Sequence, residues 1–250
     1  MANPPNVRFS QGDKDIGSAR NFSWEYPIPK CPFWDDFTYP TARNFLDLFG
    51  ADEHVPVDLN STLDKRSKVA LLENLIQERL ASRDAAAAPN TLYDVDYEYW
   101  RKIWLAKISM QVEVQDPELE QTIRMMIERN KDPSNLSYHH NLTGVLLRKG
   151  KFAEAEATEA PVPAFLDGRL GKESPQSLGS RRMIAHAVWK QGRRSEANKL
   201  LDEVVGIIDE TEEDSQYGVY KESQRELTED LWKELREGDA EINVSNEQLS

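Results

Sequence analysis

Tyr138-His139-His140 is the run in this 250-residue chain whose side chains are best suited to proton transfer or metal binding. Neighbouring positions on a helix point about 100° apart, so the two imidazoles face different ways and cannot readily share one ion. The other histidines, His54 and His186, are too scattered to complete a cluster. Asp35-Asp36 suggests half of a magnesium site, but prolines surround it and no second acidic motif answers it. Glu154 and Glu156 read as carboxylates on a helix surface. Cys31 is the only cysteine, which excludes an intrachain disulfide and nearly excludes a thiolate zinc site. It becomes a nucleophile only if the fold carries a histidine to it, and a structural thiol is the simpler expectation. No phosphate-binding glycine loop, serine elbow or zinc helix is present. The sequence therefore predicts no catalytic residue, no metal and no cofactor.

What must position these residues is a weak internal repeat. PSNLSYHHNLTGVLLRKGKFAEAEA, from Pro133, is echoed by PQSLGSRRMIAHAVWKQGRRSEANK, from Pro175, at a spacing of 42 residues. Without gaps, Pro133, Leu136, Gly150, Glu154 and Ala155 return as Pro175, Leu178, Gly192, Glu196 and Ala197. Each proline suits the opening of a helix, where a missing amide hydrogen costs little. Leu142, Val145 and Leu146 match Ile184, Ala187 and Val188 as an apolar stripe. Each glycine falls where the chain must reverse, a turn that often needs positive φ. Each alanine then lets two helix axes approach closely. The prediction is one antiparallel helical hairpin per copy, stacked on the next.

The rest of the chain reads as helix around this repeat. Residues 1–40 form a Pro- and aromatic-rich arm, in which Pro27, Pro29, Pro32 and Pro40 forbid a continuous helix. Phe22, Trp24, Tyr26, Phe33, Trp34, Phe37 and Tyr39 carry enough apolar area to dock the arm on a helical body. A short helix follows, capped by Thr41 and stopped at Gly50. Longer helices are expected over 62–86, with Val69, Leu72, Ile76 and Leu80 on one face, and over 94–112, with Tyr97, Trp100, Trp104 and Ile108 on one stripe. Asp116-Pro117 opens another, to about Lys131. Residues 41–131 thus make an N-terminal helical region, and 132–238 the repeats with a capping helix that uses Tyr220, Leu227, Leu231 and Leu235. Residues 239–250 have little to bury and are expected to form a flexible tail. No stretch alternates with a period of two, so the class is all-α.

At the repeat, the sequence resembles the tetratricopeptide repeat family, and its spacing is most like the 42-residue variety of kinesin light chains rather than the usual period of about 34. The phrases GKFAEAE and LGKESPQSL carry the likeness, which covers residues 133–213. The family's large aromatic near the start of each first helix is replaced by His139 and Arg181, and Pro161 and Pro163 should kink or shorten the second helix of the first copy. The resemblance implies that first helices line a concave surface. His140, Asn141, Leu147 and Arg148 would line it in one copy, and Arg182, Met183, His186, Trp189 and Lys190 in the next. Family members that bind chaperone C-termini use a lysine and asparagine set that this chain lacks. Kinesin functions do not carry over either, because the heptad coiled coil is missing.

Helical spacing supports one strip within that surface. Arg182, His186, Trp189 and Lys190 follow four- and three-residue steps, and Arg148 holds the position of Lys190 one repeat earlier. A basic, aromatic strip suits an extended acidic peptide. The whole chain, by contrast, carries a net charge of −13, which repels nucleic acid and anionic membranes. No apolar leader opens the sequence and no run is long enough to span a bilayer. An intracellular, cytoplasmic location is therefore expected, and the sequons at Asn21, Asn60, Asn135, Asn141 and Asn243 are chance. Two readings stand. One is a non-enzymatic adaptor that binds a peptide or protein through Arg148, Arg182, His186, Trp189 and Lys190. The other is a small all-α enzyme or enzyme subunit with a pocket between the arm and the helices. Composition and spacing fix neither the partner nor the oligomeric state.

Overall fold

The computed structural model describes residues 7–8, 26–49 and 62–247, with side chains over 26–49 and 62–237. Phe22, Trp24, Gly50, His54 and the sequons at Asn21, Asn60 and Asn243 lie outside the residues whose side chains are described. The chain divides into two units, Met1–Thr122 and Ile123–Ser250. Among the described residues no helix is long and apolar enough to cross a membrane.

The first unit opens with two short antiparallel strands, β1 (Val7–Arg8) and β2 (Ile28–Pro29). They are the only β-structure among the described residues, and the fold is all-α. The proline-rich stretch is not extended throughout. Pro32 opens a single helical turn, α1 (Pro32–Asp35), and Pro40 sits inside the first turn of α2 (Tyr39–Phe49), where prolines are tolerated. Helix α2 thus begins before Thr41, which is buried instead of capping. The backbone amide and hydroxyl of Thr38, just ahead of the helix, both donate to Glu113, at 2.8 and 2.7 Å. Phe33, Trp34 and Phe45 are fully buried and their rings touch, with centroids 5.1 and 5.7 Å apart.

Helix α3 (Lys65–Ala87) starts where Asp64 accepts the Ser67 amide, and it buries Val69, Leu72 and Ile76. The helix expected over 94–112 is two: a turn, α4 (Leu92–Val95), and α5 (Tyr97–Val114). Asp96 causes the break, because its carboxylate caps α5 by accepting the Tyr99 amide. Helix α5 packs against α2, α3 and α4. It ends at Gln115, which adopts φ 53°, while the Asp116 amide bonds back to the Gln111 carbonyl. Asp116 then accepts the Glu118 amide ahead of α6 (Leu119–Glu128), close to the expected start.

The second unit holds the repeat. Its first hairpin is α7 (Ser137–Arg148) and α8 (Phe152–Glu159); its second is α10 (Pro175–Lys190) and α11 (Arg194–Glu210). Gly150 and Gly192 make the two turns, with φ 69° and 83°. In each, the glycine amide bonds to the carbonyl three residues back and the next amide to the carbonyl five back. This six-to-one closure needs a left-handed residue, which glycine supplies without a Cβ penalty. Ala155 and Ala197 are fully buried, as close helix approach requires. Pro161 and Pro163 end α8 early and open a short α9 (Val162–Leu170). Pro175 is the first residue of α10, capped by the Ser174 hydroxyl. Pro133 does not open α7. It lies in a turn in which Asp132 and Asn130 bond the local backbone, a competitor to helix.

Helix α8 packs on α10, so the second helix of one hairpin lies against the first helix of the next, and α7 also meets α10. The last helix, α12 (Lys221–Glu247), packs on α10 and α11. Tyr220 belongs to a 3-10 turn before it. Leu235 is buried in a cluster with Ala185, Val188, Trp189, Ala197 and Leu201. The helix runs past residue 238 to Glu247, where the sequence reading places a tail.

Candidate binding groove

Three helices of the second unit, α7, α10 and α12, frame a groove of about 600 Å³, with one residue of α8 at its edge. Helix α7 contributes Gly144, Leu147 and Arg148, and α8 contributes Phe152. Helix α10 contributes Gly179, Arg182, Met183, His186 and Lys190. Helix α12 closes the far side with Leu227, Leu231 and Glu234. First helices of successive hairpins therefore share one surface, and α12 stands where a third first helix would. The register bears this out: the Arg182 guanidinium donates to the Gln224 side chain, at 2.8 Å, across a separation of 42 residues.

The five residues of the predicted strip part company here. Arg148, Arg182, His186 and Lys190 all line the groove. Trp189 does not. It is 6% exposed and packs among Ala197, Leu201 and Leu235. One residue before Lys190, it turns about 100° away from the groove, into the seam between α11 and α12. His140 and Asn141 are also absent from the lining. His140 instead directs Nδ1 at Glu159, 2.6 Å away, and the Ser180 hydroxyl donates to the same carboxylate oxygen. Glu159 is wholly buried and its other oxygen has no partner. His139 carries a buried Nδ1 that also lacks a partner, so the two histidines serve different surroundings.

Charge in the groove is unevenly answered. Among the described residues neither Arg148 nor Lys190 makes an ion pair. Arg182 is tied to neutral acceptors, the Gln224 side chain and the Thr228 hydroxyl, and burial pushes its guanidinium down to about 10. It stays charged at neutral pH without a carboxylate beside it. Other arginines of this unit are satisfied: Arg181 forks onto Asp167, and Arg193 onto Glu156 and Glu196. The His186 ring stacks on Phe152, with centroids 6.3 Å apart. Among the described residues, Glu234 is the one carboxylate in the lining.

The remaining reactive candidates lie apart from the groove lining. Asp36 pairs with Lys68, Glu154 with Arg124, and Cys31 is a half-buried residue ahead of α1. No group of three or more His, Cys, Asp or Glu among the described residues is placed to hold a metal. The sequence places a capping helix with Leu227 and Leu231 here but not its part in the groove wall, and it gives no sign of the buried Glu159. The 42-residue shift from Arg182 to Gln224 was the available signal for the first. Nothing in the local sequence marks Glu159 as buried.

The chain is similar to a crystal structure of a putative kinesin light chain from Podosopora anserina with nearly identical TPR-like repeats. The two are 20% identical, with a TM-score of 0.47, over 72% of this chain and 91% of that one. No protein-family model and no curated protein matches the sequence.

Proposed function

We propose that the second unit is a non-enzymatic interaction module that holds an acidic, partly apolar segment of a protein partner in the α7–α10–α12 groove. The observation that carries this reading is the lining itself. Arg148, Arg182 and Lys190 lie in it without carboxylate partners, on a chain whose net charge is −13. Arg182 and Lys190 are half-buried and Arg148 is exposed; a half-buried cation without a carboxylate partner gains more from an incoming one than a cation already paired. Leu147, Met183, Phe152, Leu227 and Leu231 supply the apolar contact that charge alone would lack, and Leu227 is 51% exposed. Gly144 and Gly179 also line the groove.

A rhodamine-labelled peptide of alternating glutamate and leucine tests the reading by fluorescence anisotropy. The protein should bind it and ignore the matching glutamine–leucine peptide. Exchanging both free cations, Arg148→Glu with Lys190→Glu, should weaken binding by about tenfold or more while leaving the helical circular dichroism unchanged. Equal affinity for both peptides, or an unaffected double variant, would refute the groove as an acidic-segment site.

A further inference from the structure

We infer that binding in this groove takes up a proton at His186, so that the site holds an acidic segment more tightly as the pH falls; the inference rests on the groove reading above. His186 lies on α10 four residues after Arg182 and four before Lys190, so all three project from one face of the helix. All three line the groove. Arg148 faces the groove from α7, Phe152 stacks on the ring from α8, and Glu234 is the charged group from α12.

Three permanent cations and one carboxylate thus share the groove with the imidazole. A proton there adds one more positive charge to a half-buried, cation-rich surface. Burial holds the imidazole below its ordinary range; Glu234 opposes that and Lys190 adds to it. At neutral pH His186 is therefore mostly neutral in the free protein. Carboxylates entering the groove reverse the balance, because an opposite charge nearby favours the protonated ring.

The sign follows from linkage. The bound-state pKa lies above the free-state value, so the extra affinity is absent above the bound value and complete below the free one. Each unit of that difference multiplies the affinity by about ten. Proton uptake is specific to a ligand that brings negative charge to this ring. Binding of a purely apolar segment would leave it unmoved.

The glutamate–leucine peptide serves as the probe, at about pH 8 and about pH 5.5 and at fixed ionic strength, a range in which glutamate stays ionised. The protein should bind it about three- to tenfold more tightly at the lower pH. In His186→Gln the ratio of the affinities at the two pH values should fall to about one, whatever the affinity itself. A second measurement covers a variant that misfolds. The His186 ring titration, followed by NMR in the unaltered protein, should move to higher pH when peptide is added. A gain that survives in a folded His186→Gln variant, a pH-independent affinity, or an unmoved ring titration overturns the inference while leaving the groove reading intact. A peptide that binds at neither pH sinks the groove reading itself, and this inference with it.

Discussion

Asp167 and Arg181 join α9 to α10 through two near-parallel hydrogen bonds, of 3.0 and 2.7 Å. The Arg181 guanidinium holds the Asp167 carboxyl below its ordinary range, against a smaller opposing effect of burial. A carboxyl depressed in the folded state contributes stability that is present above its unfolded value and lost as the pH falls through its folded value. Asp167→Asn should therefore cost about 1–2 kcal/mol at pH 7, with a smaller penalty near pH 3. Urea midpoints of the two proteins at both pH values check this, and a penalty that does not shrink in acid would show that the pair works by shape alone. Single residues also mark where helical spacing stops being informative. Arg182, His186 and Lys190 recur at steps of four and share the groove. Trp189 was grouped with them on a step of three, yet it lies in the core. Spacing fixes which residues share a side, but the neighbouring helix decides how wide the buried part of that side is.

The hairpin turns were the most legible elements, because their chemistry is local. A left-handed residue must end α7 and α10, and glycine adopts that conformation at no steric cost. A Cβ on Gly192 would meet no atom within 4 Å, so the cost of adding one is backbone strain alone. Gly192→Ala should destabilise the protein by about 1–2 kcal/mol. Helix α5 closes with the same pattern at Gln115, where the strain is already present. Gln115→Gly should accordingly stabilise by about 0.5–1 kcal/mol. Thermal melts giving the two substitutions the same sign would break the argument. The Gln115 turn also shows what the sequence hid. No glycine marks this turn, and only Asp116-Pro117, at the start of the next helix, announces it. Elements held by side chains distant in sequence were less legible. The early start of α2 goes with Glu113, in α5, holding Thr38 just ahead of it. The end of α12 depends on nothing that a glycine or proline announces.

On the scale of the whole chain, 44 acidic residues face 31 basic ones, and the imbalance is not uniform. Glu210, Glu212, Glu213 and Asp214 are all exposed in the short stretch before α12, whereas the groove gathers Arg148, Arg182 and Lys190. The surface ion pairs, such as Lys172 with Glu210, are exposed on both sides and contribute little each. Against them the net charge of −13 sets a repulsion that acts over distances that salt screens. Attraction between the groove and an acidic segment acts in the same medium with the opposite sign. Raising ionic strength from about 0.02 M to about 0.15 M shortens the screening length from roughly 20 Å to about 8 Å. The melting temperature should rise by a few degrees across that change, because the folded state concentrates like charge more than the unfolded state does. Over the same series the affinity for the glutamate–leucine peptide should fall, with a shallow dependence because only a few pairs form. A common direction for both would contradict the picture. If both fell, ion pairs and not repulsion would govern the fold. If both rose, the peptide would be held by apolar contact, and the basic lining would have no part in recognition.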